Sequence, residues 1–335
     1  MLDTKRREFI ALLGAGGLPL GGAAAWPLAA RAQRLQSRRF RIGWLAFSGA
    51  ALGPVDRKLW NALSERGLIE ARNTEVTLRY ANGMPERLGE LAIELVAQKP
   101  DLLIGVGGDV VRALLGASRG SIPIVGGVSE DPVRAEFAAS LSHPGKSFTG
   151  VTFITDELAA KRVQFLNEAA RGARRPAVIW NPQHLDDEIM FARRAAETLG
   201  LTLSSHPATS LADVDDALRG ASTDGADSIF VIPSRLTGMA AAKIARYGLD
   251  HRLPVVTAWR EYVESGCLLS YGPNRAFQMR RVAEYAEKIM AGAKPEELPI
   301  ERPAKFELVI NLKTARAIGL EIPSTLLARA DEVIE

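Results

Sequence analysis

The sequence predicts an α/β protein made of two doubly wound units. Apolar strand-like runs alternate with amphipathic helical segments along most of the chain. The alternation breaks once, at Ser142-His143-Pro144-Gly145-Lys146-Ser147, and then restarts. A length of 335 residues exceeds one minimal core and suits two domains of ordinary size. Such an order implies parallel sheets with right-handed crossovers.

Each element has its own signal. Phe40–Phe47 (FRIGWLAF) is nearly all apolar, as a strand buried on both faces should be. Val55–Ile69 carries Leu59, Leu63 and Leu68 near helical spacing, and Thr74–Ala81 alternates like a strand. Pro85–Gln98 reads as a helix with proline in its first turn. Asp101–Val106, Val110–Ser118 and Ile122–Val128 close the first unit as strand, helix and strand. In the second unit helices are expected over Leu158–Ala170, Glu188–Leu199, Leu211–Leu218, Met239–Tyr247 and Ala276–Ala291. Strands are expected over Ala177–Trp180, Leu201–Ser205, Ser228–Pro233, Pro254–Ala258, Cys267–Tyr271 and Lys305–Asn311.

Composition narrows the function. With 42 basic and 39 acidic residues the net charge is +3, so no nucleic-acid partner is expected. The single cysteine, Cys267, excludes an intramolecular disulfide and a multi-cysteine zinc site. His143, His184, His206 and His251 are scattered without metal-ligand spacing, so neither a metal nor a cofactor is expected.

Residues 1–32 read as an export signal. Lys5-Arg6-Arg7 is a basic start, and Phe9–Trp26 carries no charge. Ala30-Arg31-Ala32 fits the small-x-small rule, with cleavage after Ala32. Its glycines and Pro19 make the apolar run weak as a membrane anchor. Arg6-Arg7-Glu8-Phe9-Ile10 resembles a twin-arginine signal, with Lys5 where Ser or Thr is usual, so the Tat and Sec routes both stay open. No cysteine follows the cleavage point to take a lipid, and the expected location is a Gram-negative periplasm.

Two wound units leave a cleft between them, and such sheets bind ligands beyond the carboxyl ends of their strands. In the first unit this rule selects Phe47, Ser48, Gly107, Gly108, Asp109, Ser129 and Asp131. In the second it selects Trp180, Asn181, Ser234, Arg235, Trp259 and Arg260. Rings, hydroxyls and both signs of charge suit a small polar ligand with a flat or apolar part. Plainer roles stay open: Asp131-Pro132 as a helix cap, Trp180 and Trp259 as core, Arg235 as a solvated charge, Gly107-Gly108 as a tight turn.

Catalytic motifs are missing. Gly105-Val106-Gly107-Gly108-Asp109-Val110 has Val where a dinucleotide loop needs its last Gly. There is no GxSxG elbow, Walker loop or HExxH. Asp186-Asp187-Glu188 and Asp213, Asp215 and Asp216 read as polar helix surface, and Cys267 as a buried inert thiol. A binding protein is favoured over an enzyme.

Four segments carry a family resemblance: Lys5–Gln33, Ser129–Phe153 (SEDPVRAEFAASLSHPGKSFTGVTF), Trp259–Pro273 (WREYVESGCLLSYGP) and Pro303–Glu335. They are similar to the periplasmic substrate-binding proteins of ABC importers in the tryptophan-binding-protein-like family. Cys267 stands where that family often has Gly, and Lys146-Ser147 replaces a usual Gly-Asn. The loop at Gly107–Val110 lacks a common Thr-Pro.

The resemblance implies a type I periplasmic binding fold, α/β, with two Rossmann-like lobes joined by a three-crossover hinge that bends on closure. Crossovers are expected near residues 145–149, 268–271 and 303–306. Lobe 1 would then hold residues 33–147 and 270–303, and lobe 2 residues 148–269 and 304–335. Helix Ala276–Ala291 would belong to the first lobe, and Tyr271, in the second crossover, would join the ligand contacts. The implied role is a monomeric receptor, not an enzyme, that delivers a small organic ligand to an ABC permease in the inner membrane. An amino acid or aromatic carboxylate is the implied ligand class. Signalling to a membrane kinase and an exported enzyme remain the alternatives.

Overall fold

The computed structural model describes residues 39–335 except positions 48, 50, 51, 154 and 155. The expected export signal and Ser48 lie outside the described residues. The first sheet contains β1 (Phe40–Ala46), β2 (Thr74–Tyr80), β3 (Leu102–Val106), β4 (Ile124–Val128) and β5 (Phe148–Thr152). Its order is β2-β1-β3-β4-β5, and every pair is parallel. Between the strands run α1 (Pro54–Glu65), α2 (Leu88–Ala97) and α3 (Gly108–Ser118). β1 exposes only Arg41, which explains its unbroken apolar sequence. Proline begins α1, where the missing N–H is not needed, and Leu59, Ala62 and Leu63 form its buried stripe.

The expected lobe boundary at residue 147 moves to a point after Thr152. β5 pairs with β4 from Ile124↔Phe148 to Val128↔Thr152, so it is the edge of the first sheet. Its sequence, FTGVT, has no clear period. Gly105, Gly126 and Gly150 stand side by side on β3, β4 and β5. A Cβ on Gly126 would lie 1.7 Å from the Gly105 carbonyl oxygen, which explains why this row has no side chains.

The second sheet has the order β12-β11-β10-β9-β8-β6-β7. Its strands are β6 (Pro176–Trp180), β7 (Ser204–Pro207), β8 (Ser228–Val231), β9 (Val255–Thr257), β10 (Leu269–Pro273), β11 (Phe306–Asn311) and β12 (Glu332–Ile334). All neighbours are parallel except β10 and β11. The helices are α4 (Asp156–Ala169), α5 (Glu188–Thr198), α6 (Leu211–Thr223), α7 (Arg235–Met239), α8 (Ala241–Asp250) and α9 (Arg260–Glu264). They are followed by α10 (Arg275–Met290), α11 (Leu312–Ile318) and α12 (Ser324–Leu327). Strand alternation divides the core: Val178 and Phe230 face one cluster with α4 and α5, while Ile179, Ile229 and Val231 face another with α6 and α8.

The chain passes between the sheets after Phe153, at Asn274 and over 302–305. The second crossing therefore falls after Pro273, not at 270, because β10 stays hydrogen-bonded to β9 and β11. α10 packs on α1 and on the first sheet. Its Gln278 amide donates to the Thr152 carbonyl at 3.2 Å.

Candidate functional site

The cleft between the two sheets holds a cavity of about 450 Å³. Phe47, Asp56, Gly107 and Ser129 face it from the first lobe. Ser234, Arg235, Met239, Trp259, Glu261 and Tyr262 face it from the second, with Phe153 and Arg275 at the crossings.

Arg235 reaches across the cleft. Ser234 caps α7 by accepting from the Thr237 N–H, and Thr237 in turn bonds the Ser234 N–H, which fixes where α7 starts. That geometry presents Arg235 from the first turn. Its Nε and Nη2 donate to Asp109 Oδ1 at 2.9 and 2.6 Å, and Nη2 also donates to the Val106 carbonyl at 3.0 Å. The guanidinium lies 4.1 Å from the Phe47 ring centre. Gly107 permits this approach: a Cβ there would sit 1.6 Å from Nη2, and its φ of +109° suits glycine.

Arg275 opens α10 at the second crossing. Its guanidinium lies 4.3 Å from the Trp259 ring and 5.3 Å from the Phe153 ring. Glu261 Oε2 is 3.6 Å from its Nη1, and Lys58 Nζ of the first lobe is 2.7 Å from Glu261 Oε1. Burial alone would raise the Glu261 carboxyl, but Arg275 and Lys58 outweigh it and hold it down at about 2. Asp56 behaves oppositely. Burial raises its carboxyl, against the Trp44 indole N–H at 3.3 Å and the fields of Arg235 and Arg275. The cavity thus places two guanidiniums and two half-buried carboxyls among aromatic rings.

A second set of contacts joins the lobes beside the cavity. Ser129 Oγ, just after β4, is 2.8 Å from His184 Nε2 in the loop after β6. His184 Nδ1 is 2.6 Å from Asp186 Oδ2. The Asp131 N–H donates to the Leu185 carbonyl at 3.0 Å, and Arg134 pairs with Asp187 at 3.0 Å. The Leu185 side chain packs on the core of the first lobe.

Of the residues selected from sequence, Phe47, Gly107, Ser129, Ser234, Arg235 and Trp259 line the cavity. Asp109 is engaged by Arg235. Gly108 lies under Glu130, whose Oε1 would be 1.8 Å from a Cβ there. Asp131 and Asn181 do not line it. Asp131 Oδ1 accepts from the Val133 and Arg134 N–H groups, and Asn181 Oδ1 from the Gln183 N–H. Tyr271 points into the second lobe, edge-on to Phe165 at 5.0 Å. Trp180 donates to Ser205 Oγ, and Arg260 bonds Glu264 and Glu332. Asp56, Phe153, Glu261 and Arg275 escape the strand-end rule. They sit in helix first turns or at crossings, and only the charge at the start of the helix after a crossover could have signalled Arg275.

Among the described residues no helix is long and apolar enough to cross a membrane, and no group of three or more His, Cys, Asp or Glu could hold a metal ion. Residues 47–334 match the family model described as ABC transporter substrate binding protein. The tyrosine-binding protein of Clostridioides difficile (strain R20291) is 20% identical over 263 residues, 78% of this chain and 75% of that protein. A conserved domain protein from Vibrio cholerae superposes with a TM-score of 0.80 at 25% identity, covering 88% of this chain and 100% of that one. An ABC domain from Streptococcus pneumonia, solved in complex with L-Trp, superposes at 0.78 with 20% identity, again covering 88% and 100%.

Proposed function

Because the chain belongs to the ABC transporter substrate-binding protein family, with its two-lobed type I periplasmic fold, we propose that it is an exported periplasmic receptor for a small amino acid with an aromatic or branched side chain. It closes on that ligand as a monomer and passes it to an ABC permease of the inner membrane. The role requires capture and release and no bond making.

One observation carries the ligand class: opposite charges share the aromatic walls of the cavity. Arg275, with its guanidinium over Trp259, has an Nε without a hydrogen-bond partner among the described residues and keeps donors for a carboxylate. Among the described residues the Trp44 indole is the side-chain donor to Asp56, and that carboxyl gains from an ammonium nearby. Phe47, Phe153 and Trp259 offer flat apolar surface for the side chain. A volume of about 450 Å³ suits one small molecule and excludes a polymer. The tyrosine-binding relative and the L-Trp complex point to the same class.

Thermal unfolding of the processed chain against amino acids, aromatic acids and sugars tests this reading. A ligand at about 100-fold over its dissociation constant adds roughly 2.7 kcal/mol, several degrees in midpoint. Stabilisation by aromatic or branched amino acids supports the reading. Stabilisation by sugars alone overturns the ligand class.

A further inference from the structure

Glu261 stands between two cations that reach it from different parts of the fold. We propose that Lys58 is a positioning residue for carboxylate recognition: it holds Glu261 across the cleft and so keeps the Arg275 guanidinium available to a ligand carboxylate. The inference deepens the receptor reading and rests on it for the nature of the ligand.

The geometry is a row of three charges. Lys58 comes from α1 of the first lobe, Glu261 from the first turn of α9 in the second, and Arg275 from the first turn of α10 at the crossing. Lys58 Nζ donates to Glu261 Oε1 at 2.7 Å. Glu261 Oε2 is 3.6 Å from Arg275 Nη1, near enough for attraction and too far for a hydrogen bond. Glu261 Oε2 and Arg275 Nε are both buried, and neither has a hydrogen-bond partner among the described residues. An arginine and a carboxylate this close ordinarily join through two parallel N–H···O bonds. Here the carboxylate is bonded to the lysine instead, and the guanidinium lies over the Trp259 ring.

Lys58 is committed to this contact. Glu307 is another carboxyl in its field, and the Asn274 amide donates to that one at 2.9 Å. Glu261 and Arg275 line the cavity and Lys58 does not, so Lys58 acts on a ligand through them. With Lys58 in place the three groups carry net positive charge, which suits an incoming carboxylate. Without it Glu261 keeps Arg275 as its cation, and a half-buried carboxylate pairs with the cation that remains. A small rotation then closes the 3.6 Å gap and occupies the donors that a ligand would use. The ligand carboxylate would meet a neutral pair instead of a cation. Because Lys58 and Glu261 belong to opposite lobes, the contact favours the closed cleft, where the carboxylate is then held more strongly.

The test compares the processed wild-type chain with Lys58→Met, Lys58→Arg and the Lys58→Met, Glu261→Gln double variant. Nitrogen NMR of the Arg275 Nε–H group, identified by its loss in Arg275→Lys, reads pairing of the guanidinium without any ligand. Isothermal titration with L-tyrosine and L-tryptophan, beside their amides, reads carboxylate recognition. In Lys58→Met the Arg275 signal should shift. The preference for acid over amide, at least about tenfold in wild type, should fall toward one. Lys58→Arg should keep both properties, and the double variant should regain both. An Arg275 signal that stays in place in Lys58→Met overturns the proposal, and so does a double variant that regains nothing. Equal loss of acid and amide binding in Lys58→Met also overturns it, because a merely structural lysine would act that way. If no amino acid binds the wild type, the ligand class of the receptor fails. The ligand-free Arg275 signal then decides by itself whether Lys58 keeps Glu261 off the guanidinium.

Discussion

Gly107→Ala tests how the lobes meet. The substitution has two separable effects. Gly107 holds φ +109° and ψ 144°, a region nearly confined to glycine, where another residue costs about 1–3 kcal/mol. The new Cβ would also sit 1.6 Å from Arg235 Nη2. The guanidinium is the far end of a flexible chain and moves away, losing Asp109 and the Val106 carbonyl. Side-chain exposures of 27% and 35% keep that pair weak, at about 1 kcal/mol. The total is about 2–4 kcal/mol. For a chain of this size that lowers the thermal midpoint by roughly 4–8 °C. Scanning calorimetry of wild type, Gly107→Ala, Arg235→Ala and the double variant reads both effects. In the Arg235→Ala background the glycine change should cost only its backbone part, a coupling of about 1 kcal/mol. A Gly107→Ala loss below about 0.5 kcal/mol would refute the reasoning. Strict additivity would refute the guanidinium part alone.

Two further outcomes are expected. Cys267 is fully buried, and burial pushes its thiol up, so a thiol reagent should label it only after unfolding; rapid labelling of the native chain would contradict that placement. Burial lifts the Glu188 carboxyl to about 7 against the pull of Arg162. A folded pKa above the unfolded 4.5 adds stability in acid and loses it as pH rises through about 7. Denaturant unfolding of Glu188→Gln should then show a flatter pH dependence than wild type between about pH 5 and about pH 8, and an unchanged slope would count against it.

The sequence made the fold legible where periodicity was strong. Phe40–Phe47 and Asp101–Val106 read as strands, and β1 and β3 inside them are apolar because both faces are covered. β5 escaped because FTGVT is short and holds its place through a glycine row and main-chain pairing. α7 escaped because a five-residue helix, RLTGM, is too short to show a period; the expected helix Met239–Tyr247 covers α8 alone but for its first two residues. At the cleft, the strand-end rule reached residues that the topology itself places, such as Phe47 and Gly107. It could not tell Ser129, which turns to the cavity, from Asp131, whose carboxylate is drawn to nearer backbone N–H groups. Arg275 was hidden because its position depends on where the chain changes lobes, and Asp56 because it lies in the first turn of α1 rather than at the end of a strand.

The central claim is that Arg275 and Asp56 hold the two ends of a zwitterion between aromatic walls. Isothermal titration of the processed chain with L-tyrosine and L-tryptophan, beside tyrosinamide and 3-(4-hydroxyphenyl)propionate, tests it most directly. The account predicts that at least one amino acid binds. Loss of the ligand carboxylate or ammonium should each weaken binding at least about tenfold, the loss of one charge-assisted hydrogen bond. Arg275→Met should erase the first difference and Asp56→Asn the second. Equal affinity for the amino acids and both truncated analogues would contradict the claim.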